Sequence, residues 1–85
     1  MKLRRPWGQK PWFPGVWMTA DKRFMLAREH SDGWSVRPVL WDREVAQAEQ
    51  DRDWLHARGL TDARFPTRRA AVAALEVALD ADGLL

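Results

Sequence analysis

His30 and His56 are the two histidines of the chain, and with twelve carboxylates they are the groups that could act in acid–base catalysis or bind a metal ion. Neither histidine stands in a His-Glu-x-x-His spacing, and the absence of Cys removes the thiolate ligands that structural zinc sites use. Asp51 and Asp53 are two positions apart, so on a helix they face in different directions and cannot work as a general acid and base. The sequence therefore predicts a protein that is not an enzyme, with no metal, no cofactor and no small-molecule substrate.

Cations alternate with aromatic rings in the first quarter of the chain. That alternation suits phosphate contact combined with base stacking or entry into a DNA groove. The residues predicted to contact DNA are Arg4, Arg5, Trp7, Lys10, Trp12, Lys22, Arg23 and Arg37. A core role for the tryptophans is the alternative, because the chain has six Trp and no Tyr to supply buried volume.

Charge is divided unevenly between the two halves of the chain. Residues 1–43 carry nine Lys and Arg against four Asp and Glu, whereas residues 44–85 carry five against eight. A basic first half can attract a polyanion if the fold gathers its cations on one side; ordinary solvated surface is the alternative interpretation. DNA binding requires one face of the folded protein to carry Arg4, Arg5, Arg23 and Arg37 together.

A second group of residues favours a protein partner. Aromatic side chains rimmed by Arg are enriched in protein interfaces, because they bury area at a small cost in conformational entropy. Trp54 lies about 100° around its helix from Leu55, so one helix face cannot easily bury both. The residues predicted to form this interface, with a foreign protein or a second copy of the chain, are Trp17, Val39, Trp41 and Trp54.

The elements that would position these residues begin with an extended arm at residues 1–15, whose prolines exclude a regular helix or central strand. Asp21 and Lys22 form the first turn of a predicted meander, and Gly33 suits the left-handed position of the second turn. Pro38 predicts that the third strand lies at an edge of the sheet. The three antiparallel strands are predicted at residues 16–20, 23–30 and 34–41.

Strand alternation assigns side chains to the two faces of this sheet. The face predicted to be buried carries Phe24, Leu26, Trp34, Val36 and Leu40. The face predicted to be exposed carries Trp17, Met25, Arg37, Val39 and Trp41. The protein interface and part of the DNA contact would therefore share the exposed face.

After residue 41 the apolar spacing becomes helical. An acidic helix is predicted at residues 42–58, capped by Asp42 and ended by Gly59. One face of this helix carries Val45, Ala48, Arg52 and Leu55, so its apolar stripe is thin. A second helix, predicted at residues 67–82 and capped by Thr67, should cover the sheet with Phe65 beside it. Its continuous stripe consists of Ala71, Val72, Leu75, Ala78 and Leu79.

The segment Phe65-Pro66-Thr67-Arg68-Arg69-Ala70-Ala71-Val72-Ala73-Ala74-Leu75 resembles the arm-type DNA-binding domain of tyrosine recombinases, and similar segments close small phage and actinobacterial proteins. That domain runs three strands and then enters a covering helix through an aromatic residue, a Thr cap and an Ala-rich stripe. The resemblance implies that a sheet face is laid into the major groove of DNA. The acidic helix at 42–58 departs from the pattern, and DNA could not dock on the outer sheet face if this helix covered it.

We therefore expect one α+β domain over residues 1–85: a three-stranded antiparallel sheet packed by a C-terminal helix, with an additional acidic helix and an extended N-terminal arm. The predicted function is that of a small DNA-binding accessory protein of phage or mobile-element type. The alternative is a protein-interaction module, such as a phage product that engages a host protein, or a homodimer. The Arg- and Ala-rich composition indicates a GC-rich bacterium or its phage. With no apolar run near the roughly 20 residues of a membrane span, we expect a cytoplasmic protein and no membrane partner.

Overall fold

A computed structural model describes residues 3–4, 15–29, 33–41 and 43–83. The sequence predicts an α+β fold with a three-stranded meander and two helices, and the structure confirms it. A short fourth strand, which was not predicted, is contributed by the segment expected to be an arm. The elements are β1 (Leu3–Arg4), β2 (Val16–Thr19), β3 (Phe24–Arg28), β4 (Trp34–Pro38), α1 (Val45–Ala57) and α2 (Arg68–Ala81).

The strands form one antiparallel sheet in the order β1-β2-β3-β4. Lys22 has a positive φ of 64° in the turn between β2 and β3, and Gly33, at φ 89°, precedes β4. A Cβ on Gly33 would collide with the Phe65 carbonyl oxygen, so both the backbone conformation and the available space require glycine there. β4 lies at an edge of the described sheet, as Pro38 predicts.

The predicted environments of three residues are wrong: Trp17, Val39 and Leu40. Trp17 lies opposite Leu26, and cross-strand partners share a face, so Trp17 points toward the helices and packs on the core. Val39 is 1 % exposed and Leu40 is 67 % exposed, the reverse of the prediction. The strand ends at Pro38, so the two-residue alternation does not extend to either of them.

Both helices pack on the same face of the sheet, which we call the inner face. Leu55 of α1 and Leu75 of α2 belong to one core cluster with Leu26 and Val36 of the sheet. The acidic helix therefore does not cover the outer face. The remaining buried members of the cluster are Phe24, Leu60, Ala71 and Leu79.

The outer face carries side chains that are already buried. Met18 and Met25 are partners there, as are Ala27 and Ser35. Of these, Met18, Ala27 and Ser35 are buried. A ligand laid flat on the outer face could not reach these three side chains without a rearrangement.

The first helix begins and packs differently from its prediction. Its N-cap is Glu44, which makes no side-chain cap hydrogen bond; Asp42, the predicted cap, lies outside the described residues. Val45 is exposed at the start of the helix, and Arg52 is exposed as well, so neither belongs to a buried stripe. The buried side chains are instead Ala48, Asp51 and Leu55. An aspartate is therefore buried at a position that the predicted stripe did not include.

The second helix follows its prediction closely. The Thr67 hydroxyl accepts a hydrogen bond of 3.1 Å from the Ala70 N–H, as an N-cap does. Ala71, Leu75 and Leu79 are buried against the sheet. Phe65 packs beside them and forms an isolated antiparallel bridge with Trp34. Among the described residues, neither helix is long and apolar enough to cross a membrane.

Candidate functional site

A buried carboxylate on α1 binds two arginines from outside the helix. Asp51 Oδ1 accepts hydrogen bonds from Arg23 Nε at 3.2 Å and Nη2 at 2.8 Å, and Asp51 Oδ2 accepts from Arg43 Nη2 at 2.5 Å. The side chains of Asp51 and Arg43 are 7 % and 11 % exposed. Arg43 also donates to the carbonyls of Arg23 and Val39, each at 3.1 Å. We call Arg23, Arg43 and Asp51 the arginine cluster.

Arg23 points toward α1 as part of the arginine cluster, and not toward the face predicted to contact DNA. Arg23 is tied to α1 through Asp51, whereas Arg37 lies opposite Met25 on the outer face. These two arginines therefore do not share a face. Lys22 is exposed in the adjacent turn. The side chain of Arg4 and all of Arg5, Trp7, Lys10 and Trp12 lie outside the described residues, so DNA contact through them stays a prediction.

Arg37 is held by a small polar network on the outer face. Ser35 Oγ donates to Glu29 Oε1 at 2.7 Å, and Arg37 Nε donates to Ser35 Oγ at 3.2 Å. Arg37 Nη2 also forms an ion pair with Glu29 Oε1. The hydrogen bond from Ser35, followed by the bond and charge of Arg37, holds the pKa of Glu29 below its ordinary value of 4.5 against the opposing effect of burial. Glu29 therefore remains ionised and paired at neutral pH.

Trp54, a predicted interface residue, makes its contacts within the fold. Its ring packs against Phe24 with centroids 5.4 Å apart, and the Arg58 guanidinium lies over it at 4.1 Å. Trp54 Nε1 donates to Asp82 Oδ2 at 2.5 Å, and Arg58 forms an ion pair with the same carboxylate. These contacts join the end of α1 to the end of α2.

Trp17, another predicted interface residue, also has an intramolecular partner. The Arg68 guanidinium lies 4.3 Å from the centre of its ring. Arg68 stands in the first turn of α2, where the helix dipole disfavours a cation, and stacking on an indole offsets that conflict. Neither Trp17 nor the buried Val39 offers the open surface that a docking role requires.

An apolar cleft of about 440 Å³ lies along the edge of β4 that no other described strand covers. Val36 and Pro38 of that strand line it, with Trp41 at one end and Leu55 of α1 on the inner side. Leu40, two-thirds exposed, projects beside Trp41. We call this region the edge cleft; its other lining residues are Met25, Arg37, Arg52, Thr61, Asp62 and Arg64.

Arginines outnumber carboxylates around the edge cleft. Arg37, Arg52 and Arg64 line it together with Asp62. Arg52 has only a loose ion pair with its exposed neighbour Asp53, at 3.9 Å. Among the described residues, no carboxylate forms an ion pair with Arg64. Because Arg37 is paired with Glu29, the positive and solvent-exposed charge of the rim comes from Arg52 and Arg64, in contrast to the arginine cluster.

The edge cleft contains two residues that were predicted to contact a partner or DNA, and several that were not. Trp41 and Arg37 were predicted as interface and DNA contacts, and both line the cleft. Arg52 and Arg64 were not predicted as contacts, because both are distant in sequence from β4: the packing of α1 brings Arg52 there, and the segment after α1 brings Arg64. The edge-strand proline, Pro38, was the one signal in the sequence that pointed to this place.

Comparison with known proteins identifies no relative: the chain matches no family model, no curated protein and no solved structure. The resemblance to the arm-type domain of tyrosine recombinases therefore stays a prediction.

Proposed function

We propose that this protein is a protein-interaction module that binds its partner in the edge cleft. The observation that carries the proposal is an apolar cleft at the β4 edge of the sheet, next to the exposed side chain of Leu40 and lined by Trp41. Among the described residues, this edge has no strand partner beyond the Trp34–Phe65 bridge. Aromatic and Arg side chains around an apolar centre are typical of protein interfaces. An open sheet edge is also a common place for a second chain to bind.

The geometry supports this function better than DNA binding by the sheet. Arg23 is occupied by Asp51, and Arg37 is paired with Glu29, so neither is an unengaged phosphate ligand. On the outer face, the burial of Met18 and Ala27 leaves less surface to enter a groove. The experiment described next also tests DNA binding.

The test is a selection of random linear peptides on the immobilised protein, followed by affinity measurement by fluorescence anisotropy. Leu40→Asp places a charge in the edge cleft, and we expect it to weaken the selected peptides about ten-fold or more, since a buried leucine contributes roughly 1.5–3 kcal/mol. Val77→Asp is the matched control: Val77 is 70 % exposed on α2, close to the 67 % of Leu40, and does not line the cleft. It should change affinity less than about two-fold.

The proposal is overturned if selection yields no peptide that distinguishes Leu40→Asp from Val77→Asp. In parallel, duplex DNA is titrated at two salt concentrations against the wild type and both variants. DNA affinity that falls steeply with salt and is equal in all three proteins, with no peptide selected, would replace the proposal by the DNA-binding function. Self-association in sedimentation equilibrium that Leu40→Asp abolishes would support docking in the cleft and identify a second copy as the partner.

A further inference from the structure

We infer that the edge cleft binds an extended acidic segment of a partner protein, which pairs with the backbone of β4 as an added strand. This inference rests on the proposed function and specifies its ligand: a stretch of alternating apolar and Asp or Glu residues. Three features of the described residues carry it, namely the direction of the β4 backbone groups, the path of the chain after α1 and the charge of the rim.

Alternate backbone groups of β4 point away from the sheet. Trp34 exchanges both of its backbone hydrogen bonds with Phe65, at 2.7 and 2.8 Å, so its N–H and C=O point outward. Val39, five residues on, donates to the Arg23 carbonyl at 2.9 Å and so points inward. Because the pattern alternates along a strand, the N–H and C=O of Val36 and the C=O of Pro38 point toward the edge cleft. Val36 is only 1 % exposed, so an added strand pairs with it only after the side chains that cover these groups move aside.

The chain after α1 begins to pair with β4 and then leaves it. If the Trp34–Phe65 ladder continued, Ala63 would stand opposite Val36. Instead the Ala63 N–H donates to the Leu60 carbonyl in a turn, at 3.4 Å, and Trp34–Phe65 is the single bridge between the segments among the described residues. The space that a continued strand would fill is part of the edge cleft, which Thr61 and Arg64 line from the other side.

The arginines at the rim of the edge cleft favour a negatively charged peptide segment. Arg52 and Arg64 line the cleft with Asp62, whereas Arg37 is already paired with Glu29, so a segment bearing carboxylates gains favourable interactions mainly with Arg52 and Arg64. A second copy docked on the same edge would bring Arg52 and Arg64 close to the same two arginines of its partner, which disfavours self-pairing. Pro38 limits the ladder, since it has no N–H, and so favours a short segment over an extended sheet.

The experiment uses the full chain and a synthetic peptide of alternating Val with Asp and Glu, acetylated and amidated at its ends. Binding is followed by amide chemical shifts and hydrogen exchange, and each affinity is measured by anisotropy at low and moderate salt. Two N-methylated isomers, one methylated on every Val and the other on every acidic residue, probe backbone pairing. A peptide with Lys in place of the acids probes charge.

We expect slower exchange of the Val36 amide in the complex and a loss of about ten-fold or more for one N-methylated isomer but not the other, because alternate N–H groups of an added strand face β4. Arg52→Gln and Arg64→Gln should each weaken the acidic peptide about two- to five-fold, with a smaller effect at higher salt. Arg69→Gln, an exposed arginine on α2 outside the cleft, should not weaken it.

Failure of the inference is distinguishable from failure of the proposed function. If the acidic peptide binds and Leu40→Asp removes binding, but both isomers behave alike and the Val36 amide is unaffected, strand addition is overturned while the cleft remains the docking site. A tighter complex with the Lys peptide overturns the acidic ligand. If the acidic peptide binds more weakly than about 1 mM while random selection yields cleft-dependent peptides of other composition, the inference fails and the function stands.

Discussion

The arginine cluster and the edge cleft both contain arginines, yet they use them in opposite ways. In the arginine cluster, Arg23 and Arg43 surround a buried carboxylate and cap backbone carbonyls. At the edge cleft, Arg52 and Arg64 extend over apolar surface without a buried carboxylate among the described residues. The same residue type thus closes the fold in one region and leaves positive charge available in the other.

The difference shows that the count of cations in a sequence does not determine which of them can bind an anion. Arg23 stands among the basic and aromatic residues that predict DNA contact, but a carboxylate 28 positions later in the chain occupies it. Arg52 stands in an acidic helix with a net negative surface, yet it lines a positive rim. The charge pattern along the sequence therefore does not show which arginines of this chain are exposed and able to bind an anion.

The sharpest test of this comparison is Asp51→Asn. The substitution leaves Arg43 buried without its charged partner, and we expect the free energy of unfolding to fall by about 3–5 kcal/mol. Asp53→Asn, two positions away on the exposed side of α1, should change it by less than about 0.5 kcal/mol. Urea denaturation of the three proteins measures both values. Equal stability of the two variants would show that the arginine cluster does not hold α1 to the sheet.

A smaller loss of stability is expected when Glu29 is substituted. Its carboxylate pairs with Arg37, which lines the edge cleft. Since the folded pKa of Glu29 is lowered, its ionised form stabilises the protein fully above about pH 4.5, and that stabilisation is lost as the pH falls below 4.5 through the folded pKa. Glu29→Gln should cost about 1 kcal/mol near neutral pH. The difference from the wild type should shrink steadily below pH 4.5.

Urea denaturation at several pH values between neutrality and strong acid measures this difference. Glu44→Gln, at an exposed carboxylate that forms no ion pair with the described residues, serves as the control. A stability difference for Glu29→Gln that stays constant into strong acid would contradict the role of the Ser35 and Arg37 contacts.

The smallest stability effect is expected at the rim. Arg52→Gln removes a charge whose one described ion pair is exposed and 3.9 Å long, so the free energy of unfolding should change by less than about 0.5 kcal/mol. The same variant is expected to weaken the acidic peptide. A large loss of stability in thermal or urea unfolding would mean that Arg52 belongs to the scaffold, and the contrast between the two regions would disappear.

The sequence predicts elements with a local pattern and misses contacts made across the chain. The meander, the Thr67 cap and the buried stripe of α2 depend on spacings of two to four residues, and the structure confirms them. Strand β1 is two residues long, too short to show alternation. The burial of Asp51 was not predicted, because no local signal shows that two distant arginines make it favourable.

The edge cleft illustrates the same limit for function. Trp41 and Arg37 were recognisable from residue type, but Val39 and Leu40 exchanged their expected environments when the strand ended at Pro38. A prediction of faces by alternation is reliable only while the strand lasts. The cleft is assembled from β3, β4, α1 and the segment before α2, so its existence follows from tertiary packing.

The bridge between Trp34 and Phe65 has a consequence for the order in which the chain folds. It closes a loop that contains all of α1, so its formation carries a larger entropic cost than the local hairpins of the meander. We expect the hairpins to form first and α1 to be captured when the loop closes. Substitution of Gly33, which lies against Phe65, should therefore accelerate unfolding more than it slows folding, a division that stopped-flow kinetics would reveal.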